Sequence, residues 1–262
     1  MQTEKVIDHI VKWLKDYATN ANVNGFVIGI SGGIDSAVTS ILCAKTGLEV
    51  LCIEMPIHQP PSHVSRGQEH IQQLKSRFTN VKEVLVDLTP VFEEFKTEVS
   101  LDGTQATVDM ALANTRARLR MTTLYFYAGL KGLLVAGTGN KVEDFGVGFY
   151  TKYGDGGVDL SPIADLMKSE VYAIAKHIDV VDSILNAAPS DGLFGDDRTD
   201  EDQIGASYPE LEWAMTMTEN GKVAEDFEGR QRDVFKLFTR LNRINQHKMV
   251  PIPICEIPLN LK

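Results

Sequence analysis

One short stretch, residues 29–36, constrains the fold of this chain more than any other. It reads Gly-Ile-Ser-Gly-Gly-Ile-Asp-Ser and stands between an apolar run at 26–28 and an apolar segment at 37–44. The β-rich run, the Gly/Ser turn and a helical pattern that opens on Asp35 and Ser36 predict a strand, a loop and a helix start. Free backbone N–H groups and the positive end of a helix meet at such a junction, so it favours an anion. The sequence therefore predicts a phosphate-binding loop.

This loop differs from the two common phosphate-binding motifs. The Gly-x-x-x-x-Gly-Lys-Ser/Thr motif needs a lysine that the loop lacks, and Gly-x-Gly-x-x-Gly is absent at this strand end. Asp35 stands where phosphate charge is expected, and it would repel a pyrophosphate unless a cation lay between them, which implies Mg²⁺ as well as phosphate. The alternative interpretation is a plain turn at Gly32 and Gly33, with Asp35 and Ser36 capping an ordinary helix.

Length and charge narrow the classes of protein to which the chain can belong. With 262 residues, of which 43% are hydrophobic, the sequence predicts one α/β domain spanning 1–262. The formal net charge of −10 argues against a nucleic-acid partner, because phosphate backbones are bound by clustered lysine and arginine. Residues 1–15 lack the apolar core of a signal peptide and no run reaches transmembrane length, so we expect no membrane association. Cys43, Cys52 and Cys255 are widely separated, which indicates reduced thiols in a cytoplasmic enzyme.

Apolar runs alternate with helical patterns along most of the chain. Strands are predicted near 26–30, 50–55, 83–87 and 132–136, with a fifth left open. Helices are predicted at 3–18, 35–45, 62–78, 91–99, 107–130, 165–178, 208–218 and 222–244. This alternation is typical of parallel βαβ units. We therefore expect an α/β fold, with a doubly wound, mainly parallel sheet and helices on both faces.

A second candidate site segment follows the fourth predicted strand. Residues 137–144 read Gly-Thr-Gly-Asn-Lys-Val-Glu-Asp, and ligands of parallel sheets gather at the carboxyl ends of strands. Glu143 should therefore arrive at the same edge as Asp35, where two carboxylates can share a divalent cation. The alternative is a helix-start carboxylate that favours the dipole. Lys168 falls in the first turn of a predicted helix, where a cation opposes the dipole, so we expect it to have an anionic partner.

The predicted helix 107–130 carries three arginines, at positions 116, 118 and 120. A spacing of two residues does not place all three on one helical face, so we expect them to have different partners. The segments 146–158 and 190–206 lack periodicity and are rich in glycine or acidic residues. We expect them to act as lids that are less ordered without ligand.

The histidines in the middle of the chain show no metal-binding pattern. They lack an i, i+4 pair on a helix, and no cysteine or carboxylate completes a ligand set. We therefore expect them to be solvated; they are His58, His63 and His70.

Several motifs resemble those of a known enzyme family. Ser-Gly-Gly-Ile-Asp-Ser at 31–36 resembles the SGGxDS pyrophosphate loop of ATP pyrophosphatases, which cleave ATP between the α and β phosphates. Phe-Tyr-Thr-Lys-Tyr-Gly-Asp-Gly-Gly at 149–157, Gly-Thr-Gly-Asn at 137–140 and Pro-Ser-Asp-Gly-Leu at 189–193 are similar to ammonia-dependent NAD synthetases. With His-Lys at 247–248, the resemblance spans nearly the whole chain. It implies an adenine nucleotide alpha hydrolase-like fold.

The resemblance also implies roles for individual residues. The ATP-binding set is Gly29, Ile30, Ser31, Gly32, Gly33, Ile34, Asp35, Ser36, Thr138, Lys168 and Ser190. The set implied for deamido-NAD is Arg118, Lys152, Asp159, His247 and Lys248. Asp35 and Glu143 would hold Mg²⁺, and Asp35 and Lys168 would be catalytic. Many members have Gln in place of Ile34, and variable spacing in the family leaves Asp144 open as an alternative to Glu143.

The reaction implied is the ATP-dependent amidation of deamido-NAD with ammonia. The product is NAD, an acyl-adenylate is the intermediate, and AMP and pyrophosphate are released. The resemblance also implies a homodimer with substrate sites near the interface, for which the helix 107–130 is a candidate contact. Two alternatives remain, a tRNA-thiolating ATP pyrophosphatase and a nucleotide-binding regulator without turnover. The acidic balance disfavours the first, and the retained carboxylates and Lys152 disfavour the second.

Overall fold

The structure is a computed structural model that describes residues 1–59, 61–189 and 199–262. Its strands are β1 (Gly25–Gly29), β2 (Glu49–Glu54), β3 (Val81–Leu85) and β4 (Leu133–Val135). Its α-helices are α1 (Thr3–Asn20), α2 (Ile34–Lys45), α3 (Pro61–Arg77), α4 (Thr89–Glu98), α5 (Gln105–Lys131), α6 (Lys168–His177), α7 (Asp182–Leu185), α8 (Asp200–Ile204), α9 (Tyr208–Glu219) and α10 (Gly229–Met249). A π-helix spans Val142–Val147, and single 3₁₀ turns lie at Ala224–Asp226 and Leu259–Leu261.

The four strands form one parallel sheet in the order β3-β2-β1-β4. Phe26 pairs with Val50 and Val27 with Val135, so β1 lies between β2 and β4. The predicted parallel sheet is therefore confirmed. A fifth strand, which the sequence left open, is not formed in the described residues. In its place, one isolated parallel bridge pairs Ala136 with Leu160.

Alternate side chains of the central strands enter two different cores. Phe26 and Ile28 pack on one face of the sheet, and Val27 packs on the other. The first face is covered by α1, α2, α3, α6 and α7, and the second by α4 and α5. Each large apolar side chain buried in this way stabilises the fold by about 1.5–3 kcal/mol. Helices on both faces are thus confirmed. Because β1 is packed on both of its faces, the start of the loop that follows it has a fixed position.

A third apolar cluster lies beside the sheet and supports the π-helix. Val142 and Val147 of the π-helix pack with Leu211 of α9 and Phe238 of α10. The side chains of Asn242 and Asn245 donate hydrogen bonds of 2.8 Å to the carbonyls of Gly146 and Val147. This packing fixes the segment that carries Glu143.

Several predicted boundaries were wrong because tertiary packing extends or divides the elements. Helix α10 begins at Gly229 instead of 222 and continues to Met249, so His247 and Lys248 lie in its last turn instead of an extended tail. Its contacts to the π-helix stabilise the added turn. Helix α6 begins at Lys168 instead of 165. Part of the predicted lid 190–206 forms α8, while 190–198 lies outside the described residues.

The expectation of solvated histidines was wrong for His70. Its side chain is fully buried, and Nε2 lies 2.8 Å from the hydroxyl of Ser40, which places the pair between α3 and α2. His58 is exposed, as expected, and contacts Glu93. No helix in the described residues combines the length and the apolar character needed to cross a bilayer.

Candidate active site

The loop between β1 and α2 has the predicted strand, turn and helix-start geometry. Gly32 has a positive φ of 78°, and a Cβ there would stand 2.4 Å from the carbonyl oxygen of His63, so glycine is required by both backbone and space. The loop is internally hydrogen-bonded. Ser31 N–H donates to Ser36 Oγ at 3.3 Å, Gly33 N–H to Ser31 Oγ at 3.2 Å, and Ser36 Oγ to the Gly33 carbonyl at 3.0 Å. The turn is therefore preformed at the start of α2.

A buried lysine joins the two predicted carboxylates. Lys168 Nζ lies 2.6 Å from Asp35 Oδ2 and 3.0 Å from Glu143 Oε1, and the lysine is 3% exposed. Burial disfavours the charged lysine, but the two carboxylates outweigh burial and raise the pKa of Lys168 above its ordinary value. The expectation that Lys168 has an anionic partner is confirmed. The site thus holds one permanent ammonium between a carboxylate of α2 and a carboxylate of the π-helix.

Lys168, Asp35 and Glu143 form a trio that two further side chains hold in position. Neither of the two was predicted from the sequence. Asn140 Nδ2 donates to Asp35 Oδ1 at 3.2 Å, and its Oδ1 accepts from Val142 N–H and Glu143 N–H at 3.1 and 3.2 Å. The Tyr208 hydroxyl donates to Glu143 Oε1, and Lys168 Nζ lies 4.7 Å from the centre of the Tyr208 ring. Asn140 is the last residue of the Gly-Thr-Gly-Asn motif at 137–140. Tyr208 offers no local signal, because α9 brings it to the site from a distant part of the chain.

The two carboxylates respond differently to the same lysine. Burial raises the pKa of Asp35 and outweighs the pull of Lys168. At Glu143 burial also acts upward, but Lys168 and the Tyr208 hydroxyl hold the pKa below its ordinary value. Glu143 is therefore the more firmly ionised member of the pair.

Asp144, the alternative to Glu143, has a different environment. Its carboxylate lies against Gly139, where a Cβ would stand 2.1 Å from Asp144 Oδ1. Burial, with added repulsion from Glu143 and Asp155, raises the pKa of Asp144 to about 8. Lys168 makes its salt bridges to Asp35 and Glu143, so it is Glu143 and not Asp144 that shares the lysine with Asp35.

The trio opens into a cleft of about 240 Å³ at the carboxyl edge of the sheet. The walls combine the loop with apolar and basic side chains of α5, including Arg120, Met121 and Leu124. The residues of the predicted ATP-binding set that line it are Gly29, Ile30, Ser31, Gly32, Gly33, Ile34, Asp35, Ser36, Thr138 and Lys168. Ser190, the remaining member, lies outside the described residues. The side chain of Ile34 is 4% exposed, so it adds apolar wall where Gln would add a polar group.

The five residues predicted for deamido-NAD lie outside the lining of this cleft, and four of them form a second cluster. Lys152 Nζ donates to the His247 carbonyl at 2.5 Å, and Arg118 Nη2 donates to the Lys152 carbonyl at 3.3 Å. Lys248 Nζ donates to the carbonyls of Gly148 and Tyr150, at 2.8 Å each. This cluster connects α5, the segment 146–158 and the end of α10.

Asp159 lies apart from that cluster. Its carboxylate accepts from the Tyr125 hydroxyl at 3.0 Å and from Val135 N–H at 2.8 Å, beside the end of β4. The structure therefore does not bring Asp159 into contact with the other four residues predicted for deamido-NAD.

The three arginines of α5 have different partners, as expected. Arg116 stacks 4.3 Å from the centre of the Phe92 ring, and Arg120 Nε donates to the Met55 carbonyl at 3.0 Å. Arg118 contacts Lys152, so it is the one that joins the second cluster, called the exposed cluster below because Arg118 and His247 are exposed and Lys152 and Lys248 only partly buried.

Known proteins resemble this chain in sequence along nearly its whole length. The family model described as NAD synthase matches residues 6–251. The NH(3)-dependent NAD(+) synthetase of Finegoldia magna is 39% identical over 225 residues, which cover 85% of this chain and 88% of that protein. The enzyme of the same name from Carboxydothermus hydrogenoformans is 34% identical over 257 residues, which cover 98% of each chain. The match favours this family over the tRNA-thiolating and regulatory alternatives.

Solved structures of related proteins share the fold. NMN synthetase from Francisella tularensis has a TM-score of 0.83 and 32% identity, with 99% of each chain covered. The NH3-dependent NAD synthetase from Campylobacter jejuni, in complex with nitrate, has a TM-score of 0.78 and 25% identity, covering 98% of this chain and all of that one. Because the family model matches residues 6–251 and the related sequences and structures cover most or nearly all of the chain, the chain belongs to the NAD synthase family of enzymes.

Proposed function

We propose that the protein makes NAD from deamido-NAD, ATP and ammonia, with release of AMP and pyrophosphate. The observation that carries the proposal is the buried Lys168 between Asp35 and Glu143, at the mouth of a phosphate loop in a chain of the NAD synthase family. Mere binding of a nucleotide does not need this arrangement. Cleavage of ATP does, because negative charge moves onto the leaving phosphates as the bond breaks.

The reaction follows from the substrate, because a nicotinate carboxylate is unreactive toward amines until one of its oxygens becomes a leaving group. A carboxylate oxygen attacks the α-phosphorus, an O–P bond forms, and the bond to the β-phosphate breaks to release pyrophosphate. Ammonia then attacks the acyl carbon, a C–N bond forms and a proton is lost, and AMP leaves with the former carboxylate oxygen. Protein groups act by positioning the substrates and stabilising charge.

Within this scheme each part of the cleft has a separate task. Backbone N–H groups of residues 31–36 that do not donate within the loop, together with the start of α2, would bind the phosphates. Lys168, oriented by Asp35 and Glu143, stabilises the charge that grows near the α-phosphate. Met121 and Leu124 of α5 add apolar side chains to the lining of the cleft and would keep water from the acyl-adenylate.

The carboxylate pair also fits Mg²⁺. Mg²⁺ is commonly held by one or two carboxylates together with substrate phosphates and water, and carboxylate oxygens are its preferred protein ligands. Asp35 and Glu143 already face one cation, the ammonium of Lys168. Within the described residues no group of three or more His, Cys, Asp or Glu side chains is arranged to hold a metal by itself. The bound ion would neutralise phosphate charge, with the substrate completing its ligands.

Deamido-NAD is proposed to contact the exposed cluster of Arg118, Lys152, His247 and Lys248. The ammonium groups of Lys152 and Lys248 donate hydrogen bonds to backbone carbonyls. A phosphate or a ribose hydroxyl of the ligand can take the place of these carbonyls as the acceptor. Asp159 is included from the family resemblance, and its place beside β4 suggests a different part of the substrate.

A second candidate substrate is nicotinate mononucleotide, because the neighbour with a TM-score of 0.83 is an NMN synthetase. The reacting carboxylate would be the same, and the second nucleotide half of the substrate would be missing. The test is to supply ATP, Mg²⁺ and ammonium with each substrate in turn, and to measure NAD or NMN together with AMP. We expect the larger kcat/KM with deamido-NAD; a larger value with the mononucleotide would reassign the substrate.

We also propose a homodimer and a cytoplasmic location. Helix α5 exposes large apolar side chains one turn apart, with Phe126 63% and Leu130 65% exposed, which suits contact with a second copy. The three cysteines are free, which suits a reducing compartment. Sedimentation at micromolar concentration should show a dimer, and a fully active monomer would contradict the placement of substrate sites near the interface.

A further inference from the structure

Arg66 lies beside the phosphate loop, although it was not among the predicted site residues. It belongs to α3 and lines the cleft, and its Nε donates to the Gly32 carbonyl at 3.2 Å. The helix approaches the loop closely at this point, because a Cβ added at Gly67 would stand 3.8 Å from Gly32 N. The guanidinium is therefore fixed next to the loop backbone.

Most of the hydrogen-bonding capacity of Arg66 is unused. A guanidinium has five N–H donors, and the bond to Gly32 uses the one on Nε. In the described part of the chain the two Nη groups reach no protein acceptor, and Arg66 forms no ion pair. Lys168 differs in this respect, since two carboxylates compensate its charge. Arg66 thus presents to the cleft a positive charge that forms no ion pair with any described residue.

The charge balance of the cleft calls for such a cation. Among the described residues that line it, five acidic side chains face three cationic ones, and the raised pKa of Asp144 leaves that one carboxyl mostly protonated at neutral pH. The carboxylates are Asp35, Glu143, Asp144, Asp155 and Asp200, and the cations are Arg66, Arg120 and Lys168. The loop itself contains no lysine. A triphosphate that enters this cleft needs positive charge beyond that of Lys168, and the planar fork of an arginine matches two phosphate oxygens.

We propose that Arg66 is a phosphate-binding residue for the part of ATP that leaves as pyrophosphate. The assignment follows from position, because Arg66 is held at Gly32, in the middle of the loop, while Lys168 is held at Asp35, in the first turn of α2. This inference rests on the proposed function, in which ATP is cleaved between the α and β phosphates. It deepens that function by assigning the charge that retains the leaving group.

Calorimetry with Mg²⁺-pyrophosphate and with AMP separates this role from others. Arg66→Ala and Arg66→Gln should each weaken pyrophosphate binding about tenfold or more, as expected for loss of a charge-assisted contact. AMP, which lacks the β and γ phosphates, should bind within about twofold of wild type. Arg77→Ala is the matched control on the same helix, because Arg77 donates to the Ile178 carbonyl away from the cleft. It should leave both affinities unchanged.

Two further variants distinguish charge from a purely structural tether. Glutamine can still donate to the Gly32 carbonyl, whereas lysine keeps the charge. Arg66→Lys should therefore bind pyrophosphate more tightly than Arg66→Gln. Equal affinities in these two variants, wild-type affinity in Arg66→Gln, or parallel weakening of pyrophosphate and AMP would each overturn the proposal. If wild type forms neither NAD nor NMN, the proposed function fails, yet pyrophosphate binding still decides the role of Arg66.

Discussion

The two clusters of basic side chains differ in how their charges are compensated. Lys168 is buried, and Asp35 and Glu143 neutralise it within the protein. Lys152 and Lys248 lie nearer the surface and donate to backbone carbonyls, which carry no full charge. The buried trio is therefore complete before any ligand arrives, while the exposed cluster keeps its charge for a ligand. In the proposed function, preorganisation at the reacting phosphates and adaptability toward deamido-NAD suit an enzyme that binds ATP, deamido-NAD and ammonia.

The largest expected effect is on stability, from removal of the buried lysine. Lys168→Met leaves two largely covered carboxylates, 17% and 16% exposed, without their cation, so we expect the free energy of unfolding to fall by about 3 kcal/mol. Lys152→Met, the matched change in the exposed cluster, should cost less than about 1 kcal/mol. Urea unfolding of the two variants at neutral pH makes the comparison. Similar losses in both variants would contradict the difference between the clusters.

Removal of either carboxylate should slow adenylation strongly. Asp35→Ala and Glu143→Ala should each reduce pyrophosphate release by about 10²–10³-fold at saturating ATP, because each variant loses a group that holds a cation against the leaving phosphates. The double variant should be clearly less than additive, because both act on one cation. Asp144→Asn is the control, with a reduction below about tenfold expected. Strict additivity, or a larger effect at Asp144, would refute the pairing.

The parts of the site that the sequence predicts are those whose residues are close together in the chain or follow neighbouring strands. The loop at 29–36 was predicted because strand, glycine turn and helix start adjoin in the chain. Glu143 was placed correctly at the edge with Asp35, because parallel strands end together. Tyr208 could not be predicted, since its contact with Glu143 depends on the path of α9 and on an intervening segment without periodicity. The last turn of α10 was missed because tertiary contacts of Asn245 and Lys248 stabilise it.

His70 was missed for a different reason, and it provides a pH test of the buried side of the molecule. The expectation of a solvated side chain followed from the lack of a metal-binding pattern, although Gly67, Ile71 and Leu74 mark a buried stripe that includes His70. Burial, with a smaller contribution from Arg77, lowers the pKa of His70 to about 4. The unfolded chain therefore binds a proton more readily than the folded one between pH 6.5 and 4.

The resulting stability change should be up to about 3 kcal/mol. The contribution is fully present above pH 6.5 and is lost as the pH falls toward 4. His70→Gln, which keeps a partner for the Ser40 hydroxyl, should reduce the slope of unfolding free energy against pH in this range. An unchanged slope would show that other groups control acid unfolding.

The smallest expected effect lies in the exposed cluster. Lys152→Met should raise the KM for deamido-NAD about tenfold and leave the KM for ATP within about twofold, because its ammonium lies outside the cleft of the phosphate loop. Initial rates with one substrate varied at a time give both constants. A rise in the KM for ATP of the same size would place Lys152 functionally in the phosphate site.

The central claim is that this chain activates a nicotinate carboxylate as an acyl-adenylate before ammonia attacks. The most direct test uses deamido-NAD labelled with ¹⁸O in both carboxylate oxygens, with ATP, Mg²⁺ and ammonium, and analyses the products by mass spectrometry. The account predicts that AMP receives one labelled oxygen per turnover, that the amide of NAD keeps the other, and that pyrophosphate stays unlabelled. Unlabelled AMP, or label in pyrophosphate, would contradict it.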